Sequence, residues 1–382
     1  MQSVLCRLLL FSVIPLATSC SVIKQLTQPA ANITALKYLG NYEIPFNTVY
    51  NNTLVGGLSG IDYDQKRNLF YIISDDRSEK NPARFYSAGI YFTGAGIDSI
   101  RFTGVTYILQ PDGSVYPNSK TDRFNTPDPE GIRYNPVNNQ LVWSNEGERA
   151  VRGKDTVLIN PAVNIVSTAG KYISSFTMPP NLVMHTAAIG PRQNGVLEGL
   201  SFADNYKTLF VNIEEPLYED GPRADITGNN AYIRILKFNV ATQKNIAQYA
   251  YKLDPVAHSA IPATAFKVNG VPEIMSIGNN KLLVIERSFS TGRLHNTIKI
   301  FIADLNAATD VSNISLSGNN NFIPAIKKLV INLDELGIYT DNLEGLTFGP
   351  VLPNGNKTLL LIADNNFSTS QKSQLLLFEI IE

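Results

Sequence analysis

The chain has almost no cysteine. Only Cys6 and Cys20 occur in 382 residues, so neither a disulfide framework nor a cysteine-based zinc centre organises the fold. Histidine is nearly as scarce. His185, His258 and His295 lie far apart with no His-x-x-x-His spacing, which removes the usual zinc hydrolase signature. Neither sign of charge dominates, with 32 Lys plus Arg against 33 Asp plus Glu. The electrostatic footprint of a nucleic-acid-binding protein is therefore missing, and no nucleic-acid partner is expected. No apolar run beyond the N-terminus is long enough to span a bilayer. There is no Gly-x-Ser-x-Gly elbow, phosphate-binding P-loop or dinucleotide fingerprint.

What is present begins with a targeting segment. Arg7 is followed by a mostly apolar run from Leu8 to Ala17 and then by Ala17-Thr18-Ser19-Cys20. Residues 1–19 read as a secretory signal peptide, and Cys20 stands where a bacterial lipobox places its lipidated cysteine. Cleavage before Cys20 leaves one thiol and no partner for it, which lipidation explains; ordinary cleavage with a free cysteine is the alternative. Residues 20–35 then read as a polar tether. The expectation is an exported lipoprotein of a bacterial cell envelope, at the outer membrane or cell surface. Its membrane contact would run through the N-terminal lipid, and the mature protein is expected to be a monomer.

The rest of the chain is built on a repeat. Glu130-Gly131-Ile132-Arg133-Tyr134 returns as Glu198-Gly199-Leu200-Ser201-Phe202 and Glu344-Gly345-Leu346-Thr347-Phe348. Ser59-Gly60-Ile61-Asp62-Tyr63 is a variant and Glu273-Ile274-Met275-Ser276-Ile277 a degenerate copy. Their second positions are separated by 71, 68, 75 and 71 residues, and a near-constant period marks an array of one structural unit. Each copy leads through Asn-, Gly- or Pro-rich turns into an apolar run such as Leu69–Ser74 or Leu359–Ala363, the pattern of β-hairpins. Third-strand candidates follow at Ile233–Phe238, Ile298–Ile302 and Leu375–Ile380.

An all-β propeller accounts for this pattern. Five blades are expected over residues 36–382, with six the alternative if a long loop hides one. The stretch Arg149–Phe176 reads as a sizeable loop. The last unit is short, so Leu36–Gly40 is expected to return beside Leu375–Ile380 and close the ring. The glycine of the motif is expected where backbones approach closely.

Acidic residues recur at fixed places in the unit. Glu130 and Glu146 lie 16 residues apart, as do Glu198 and Glu214, and Ser59 and Asp75. The start of one strand and the end of the next share an edge of an antiparallel hairpin. Asp75, Asp76, Glu130, Glu146, Glu198, Glu214, Glu215, Glu286, Glu344 and Asp364 are thus candidates for one mouth of the channel. Crowded carboxylates need a cation or a proton. Arginines follow several of them, as in Asp75-Asp76-Arg77, Glu148-Arg149 and Glu286-Arg287. A mouth of both signs suits an anionic small molecule held by arginine and by an oxygen-preferring cation such as Ca²⁺. The competing role for the Glu of each Glu-Gly pair is structural, bonding backbone N–H groups of the next blade.

The phrases Gly57-Leu58-Ser59-Gly60-Ile61, Ser74-Asp75-Asp76-Arg77, Pro129-Glu130-Gly131-Ile132, Asn145-Glu146-Gly147-Glu148-Arg149, Leu197-Glu198-Gly199-Leu200 and Asn342-Leu343-Glu344-Gly345-Leu346 resemble the phytase-like family, known for esterase-like activity of phytase. The resemblance runs from about Leu36 to the C-terminus. It implies an exported β-propeller that hydrolyses phosphoesters or esters. The Asp-Asp-Pro signature of alkaline propeller phytases, which hold phytate through acids and Ca²⁺, is not found here.

The leading expectation is a metal-assisted esterase or phosphoesterase acting on an anionic ester at the channel mouth. Catalytic candidates are Asp75, Glu146 and Glu214, and substrate-binding candidates are Arg77, Arg149 and Arg287. Metal-ligating candidates are Asp76, Glu130, Glu198, Glu286, Glu344 and Asp364. The alternatives are a non-catalytic surface propeller that binds a ligand or partner, and a lactonase-type propeller with one central Ca²⁺.

Overall fold

The computed structural model describes residues 32–93, 96–318 and 321–382. Five four-stranded antiparallel sheets follow one another around a central channel. Blade 1 holds Gly60–Asp64, Leu69–Ser74, Arg84–Thr93 and Gly96–Tyr107. Blade 2 holds Pro129–Asn135, Gln140–Asn145, Ala162–Ser167 and Tyr172–Ser175. Blade 3 holds Leu197–Ala203, Thr208–Ile213, Tyr232–Asn239 and Lys244–Lys252. Blade 4 holds Lys267–Gly278, Lys281–Ser290, Thr297–Asp304 and Ile326–Asn332. Blade 5 takes Asn342–Phe348, Thr358–Asp364 and Ser373–Ile381 from the C-terminus and Ala35–Ile44 from the N-terminus.

That last pairing closes the ring. Leu36 lies opposite Ile380 and Gly40 opposite Leu377, as the short final unit requires. The count of five also stands. The stretch Arg149–Phe176 is not one loop, however. It holds the short Val157–Ile159 strand and the two outer strands of blade 2. Short strands broken by Asn, Pro and Gly hide their period there.

The sequence explains why the hairpins form. At each first turn the chain enters the left-handed region, at Asn68 (φ 50°), Asn139 (φ 55°), Asn205 (φ 56°), Asn280 (φ 53°) and Gly355 (φ 88°). Asn and Gly tolerate that conformation with little strain. The second strands are buried on both sides because each sheet packs against two neighbours. The core is accordingly five layers between blades. One layer packs Leu58, Phe70 and Ile72 of blade 1 on Leu360, Leu375 and Leu377 of blade 5. Another packs Tyr71, Ile73 and Phe85 on Ile132, Leu141 and Trp143 of blade 2. Trp143, 1% exposed, is thus a packing residue.

The repeated motif is the inner ring. A Cβ on Gly60 would lie 2.7 Å from the Glu130 carbonyl oxygen, one on Gly131 2.7 Å from that of Glu198, and one on Gly345 2.8 Å from that of Ser59. Each glycine lets one inner strand lie on the next. The degenerate fourth copy does something else. Glu273 and Arg133 form a buried ion pair at 2.7 Å across the channel. The Arg133 guanidinium also donates to the carbonyls of Ile61, Ile132, Ile274 and Leu346, and Glu273 accepts from the Leu200 N–H. One pair therefore ties all five blades together.

Candidate active site at one mouth of the channel

Four of the five inner strands carry a bulge where the motif begins. The register with the second strand slips between Pro129 and Ile132, Leu197 and Leu200, Gly270 and Glu273, and Leu343 and Gly345. A bulge re-aims one side chain, and here it turns Glu130, Glu198 and Glu344 toward the mouth. The second strands deliver Asp75, Glu146, Glu214 and Asp364 to the same edge.

Carboxylate oxygens of Glu130, Glu146 and Glu198 lie within 4.8 Å of one another, and so do those of Asp75, Asp128 and Glu130. Arg287 of blade 4 bridges the opposite wall. It donates to Glu214 at 2.8 Å and to Glu344 and Asn342. Arg77 binds Glu148 and lies 3.6 Å from Asp128.

Burial and mutual repulsion govern the electrostatics. Desolvation, reinforced by neighbouring carboxylates, pushes Asp75, Glu130, Glu146, Glu198 and Asp364 well above the ordinary carboxylate range. Glu344 is raised by burial against the pull of Arg287, and Asp128 by burial against the pull of Arg77. Asp128 is the first of the neighbouring carboxylates that add to burial in raising Asp75, and the oxygens of the two lie within 4.8 Å. Burial opposes the charge of Arg287, but Glu344, Glu214 and Glu198 outweigh it and hold its pKa up. At the rim, Glu215 is pushed to about 7 by burial although Arg223 lies on it at 2.5 Å. Two buried oxygens, Glu344 Oε2 and Asp364 Oδ2, have no hydrogen-bond partner.

Three expected members are elsewhere. Asp76 turns away to accept from the N–H groups of Glu79, Lys80 and Asn81 and to pair with the fully buried Arg84. Glu286 lies between blades 3 and 4, bonded to Tyr251, Asn269 and Lys327. Arg149 donates to the carbonyls of His185, Thr186 and Ala187 and stacks on Tyr218. All three have one cause: adjacent residues of an extended chain face opposite sides. The mouth receives Asp75, Arg287 and Glu148, and the adjacent Asp76, Glu286 and Arg149 point the other way. The same period exposes an omission, because Asp128 and Glu130 flank Pro129 and share a side. The structural role expected for the Glu of Glu-Gly falls instead to Glu146, whose Oε1 accepts from the Val196 N–H of blade 3 at 2.9 Å.

The donor set is all oxygen, partly unsatisfied and backed by arginine. It defines a five-bladed propeller with a carboxylate-lined mouth suited to a hard cation or an acid–base reaction. The chain belongs to the Phytase-like family, described by esterase-like activity of phytase, whose sequence profile matches residues 53–367. Membership makes an ester-cleaving hydrolase the expected class. No curated protein matches the chain.

Among solved structures, it is similar to an exo-β-1,3-galactanase from Phanerochaete chrysosporium at 12% identity, covering 90% of this chain and 64% of that one, with a TM-score of 0.44. A GH43 β-1,3-galactosidase gives 10% identity, 89% and 94% coverage and a TM-score of 0.47. An α-L-arabinofuranosidase from Lactobacillus brevis gives 10%, 84% and 90% coverage and 0.43. At such distances the chemistry of this site has to come from its own residues.

Proposed function

We propose that the acidic mouth hydrolyses an anionic ester, a phosphoester or a carboxylate-bearing ester, with help from a divalent cation. The observation that carries this is the packing of Glu130, Glu146 and Glu198 within 4.8 Å, beside the unpartnered oxygens of Glu344 and Asp364. Buried like charges at that spacing call for a cation, and an all-oxygen set fits Ca²⁺ better than a soft metal. Glu130, Glu146 and Glu198 would hold it, and it would supply Lewis-acid polarisation of an ester or phosphoryl oxygen.

The other residues divide the remaining work. Asp75, its carboxyl raised by burial and by the neighbouring Asp128, is placed to give a proton to the leaving oxygen. Arg287 and Arg77 present guanidinium charge to the anionic group of the substrate. Glu214, paired with Arg287, orients that guanidinium. The test is turnover of 4-nitrophenyl phosphate, 4-nitrophenyl acetate and phytate by the purified protein, with Ca²⁺ and with chelator. Hydrolysis lost on chelation, regained with Ca²⁺ and lowered in Glu198→Gln is the expected result. Silence on every ester with and without Ca²⁺ would leave a ligand-binding propeller as the better account.

We also propose that the protein is exported and anchored by lipid at Cys20. Cys20 and the signal segment lie outside the described residues, so this rests on the sequence pattern alone. Cell fractionation should find the wild type with membranes and Cys20→Ala released from them. Equal membrane association of the two would end the idea.

A further inference from the structure

A cavity of about 250 Å³ lies at the channel mouth opposite the acidic one, with Arg133 in its lining. Its wall is aromatic and apolar, from Tyr63, Tyr134, Phe202, Met275 and Phe348. These come from blades 1, 2, 3, 4 and 5 in turn, so the cavity is a product of ring closure. Asp62 faces into it from blade 1.

The charges around it do not cancel at depth. Arg133 pairs with Glu273 at 2.7 Å and also attracts Asp62, whose carboxyl is raised by burial; Arg67 pairs with Asp64 and Lys357 with Glu382. Asp62 accepts from the Tyr134 N–H at 2.7 Å and the Thr347 hydroxyl at 3.2 Å. An ionised carboxylate offers about four acceptor positions, so capacity remains. Lys66 lies on the exposed rim. Of the two carboxylates that line the cavity, Asp64 is held by Arg67 at 2.8 Å, and Asp62 keeps acceptor positions among the rings, the arrangement that orients a small ligand by a single polar contact.

We propose that this cavity is a second binding site, independent of the acidic mouth, for a small molecule with a flat apolar body and a protonated amine. The rings hold the body, and the ammonium reaches the Asp62 carboxylate. Cation–π attraction from Tyr63 and Tyr134 acts in the same sense. The volume is below the usual range for drug-sized ligands, roughly 300–1,000 Å³, so a single ring with a short arm is the fitting size.

The test is ligand-observed NMR on the full chain with benzylamine, benzyl alcohol and benzoate at millimolar concentration. Benzylamine should bind about ten-fold more tightly than benzyl alcohol, the scale of one charge-assisted hydrogen bond, and benzoate should not bind. Asp62→Asn should abolish the preference for the amine. Val351→Trp, placed on the exposed rim of the same cavity, should block both binders without threatening the fold. The proposal is overturned if no probe saturates, if the three bind alike, or if binding survives Val351→Trp.

Discussion

Arg133→Met should unfold this protein far more easily than any surface substitution. Arg133 is buried, paired with Glu273 at 2.7 Å, and bonded to carbonyls of blades 1, 4 and 5 as well as its own. Methionine keeps much of the volume but none of the donors. It would leave a buried carboxylate without its cation and several carbonyls without a partner. Removing one member of a buried ion pair costs on the order of 3–5 kcal/mol.

Glu273→Gln should cost less, since the amide still fills the space and can accept from the Leu200 N–H. Replacing both residues by apolar ones of similar volume should recover part of the loss, because no buried charge is then left alone. Urea titration gives the midpoints, and an unchanged slope would show that the same surface is exposed. A midpoint for Arg133→Met within experimental error of wild type would show that the blades hold together without this pair.

The fold was legible because its period is carried by local chemistry. Turn residues such as Asn68 and Asn139, the motif glycines and the doubly buried second strands each follow from the geometry of one blade, and the short final unit implied closure. The acidic mouth was legible as a set, since hairpin geometry places Glu130 beside Glu146 and Glu198 beside Glu214. Its membership was not. Asp76, Glu286 and Arg149 each sit one residue from the side chain that faces the channel, and strand phase at a strand end depends on where a bulge or turn begins. The Arg133–Glu273 pair was invisible for another reason. It joins residues 140 positions apart, and nothing local in Ile132-Arg133-Tyr134 says that this arginine alone spans the ring. The opposite cavity needs side chains from all five blades, which only the closed ring brings together.

Calcium should raise the melting temperature, and the gain should grow with pH. Asp75, Glu130, Glu146, Glu198 and Asp364 have folded pKa values raised well above their unfolded ones by burial and crowding. Each therefore contributes stability that is fully present below the unfolded pKa, about 4, and is lost as pH rises through the folded value. Glu215 and Glu273, pushed to about 7, act in the same direction.

Carboxylates with lowered values, such as Asp254 beside Lys327 and Lys299, work oppositely, but they lose their contribution only as pH falls below about 4. Without a divalent cation, stability should thus decline between about pH 5 and pH 8. A cation at Glu130, Glu146 and Glu198 binds the deprotonated forms, so it competes with protons at pH 5 and not at pH 8. At a concentration 100 times its dissociation constant it stabilises by about 2.7 kcal/mol. Melts in Ca²⁺ and in chelator at the two pH values measure this directly. Glu198→Gln should shrink the gain at pH 8 and raise the melting temperature in chelator, because one of the repelling charges is gone. A gain that is absent at both pH values, or larger at pH 5, would mean that protons and arginines alone balance these acids.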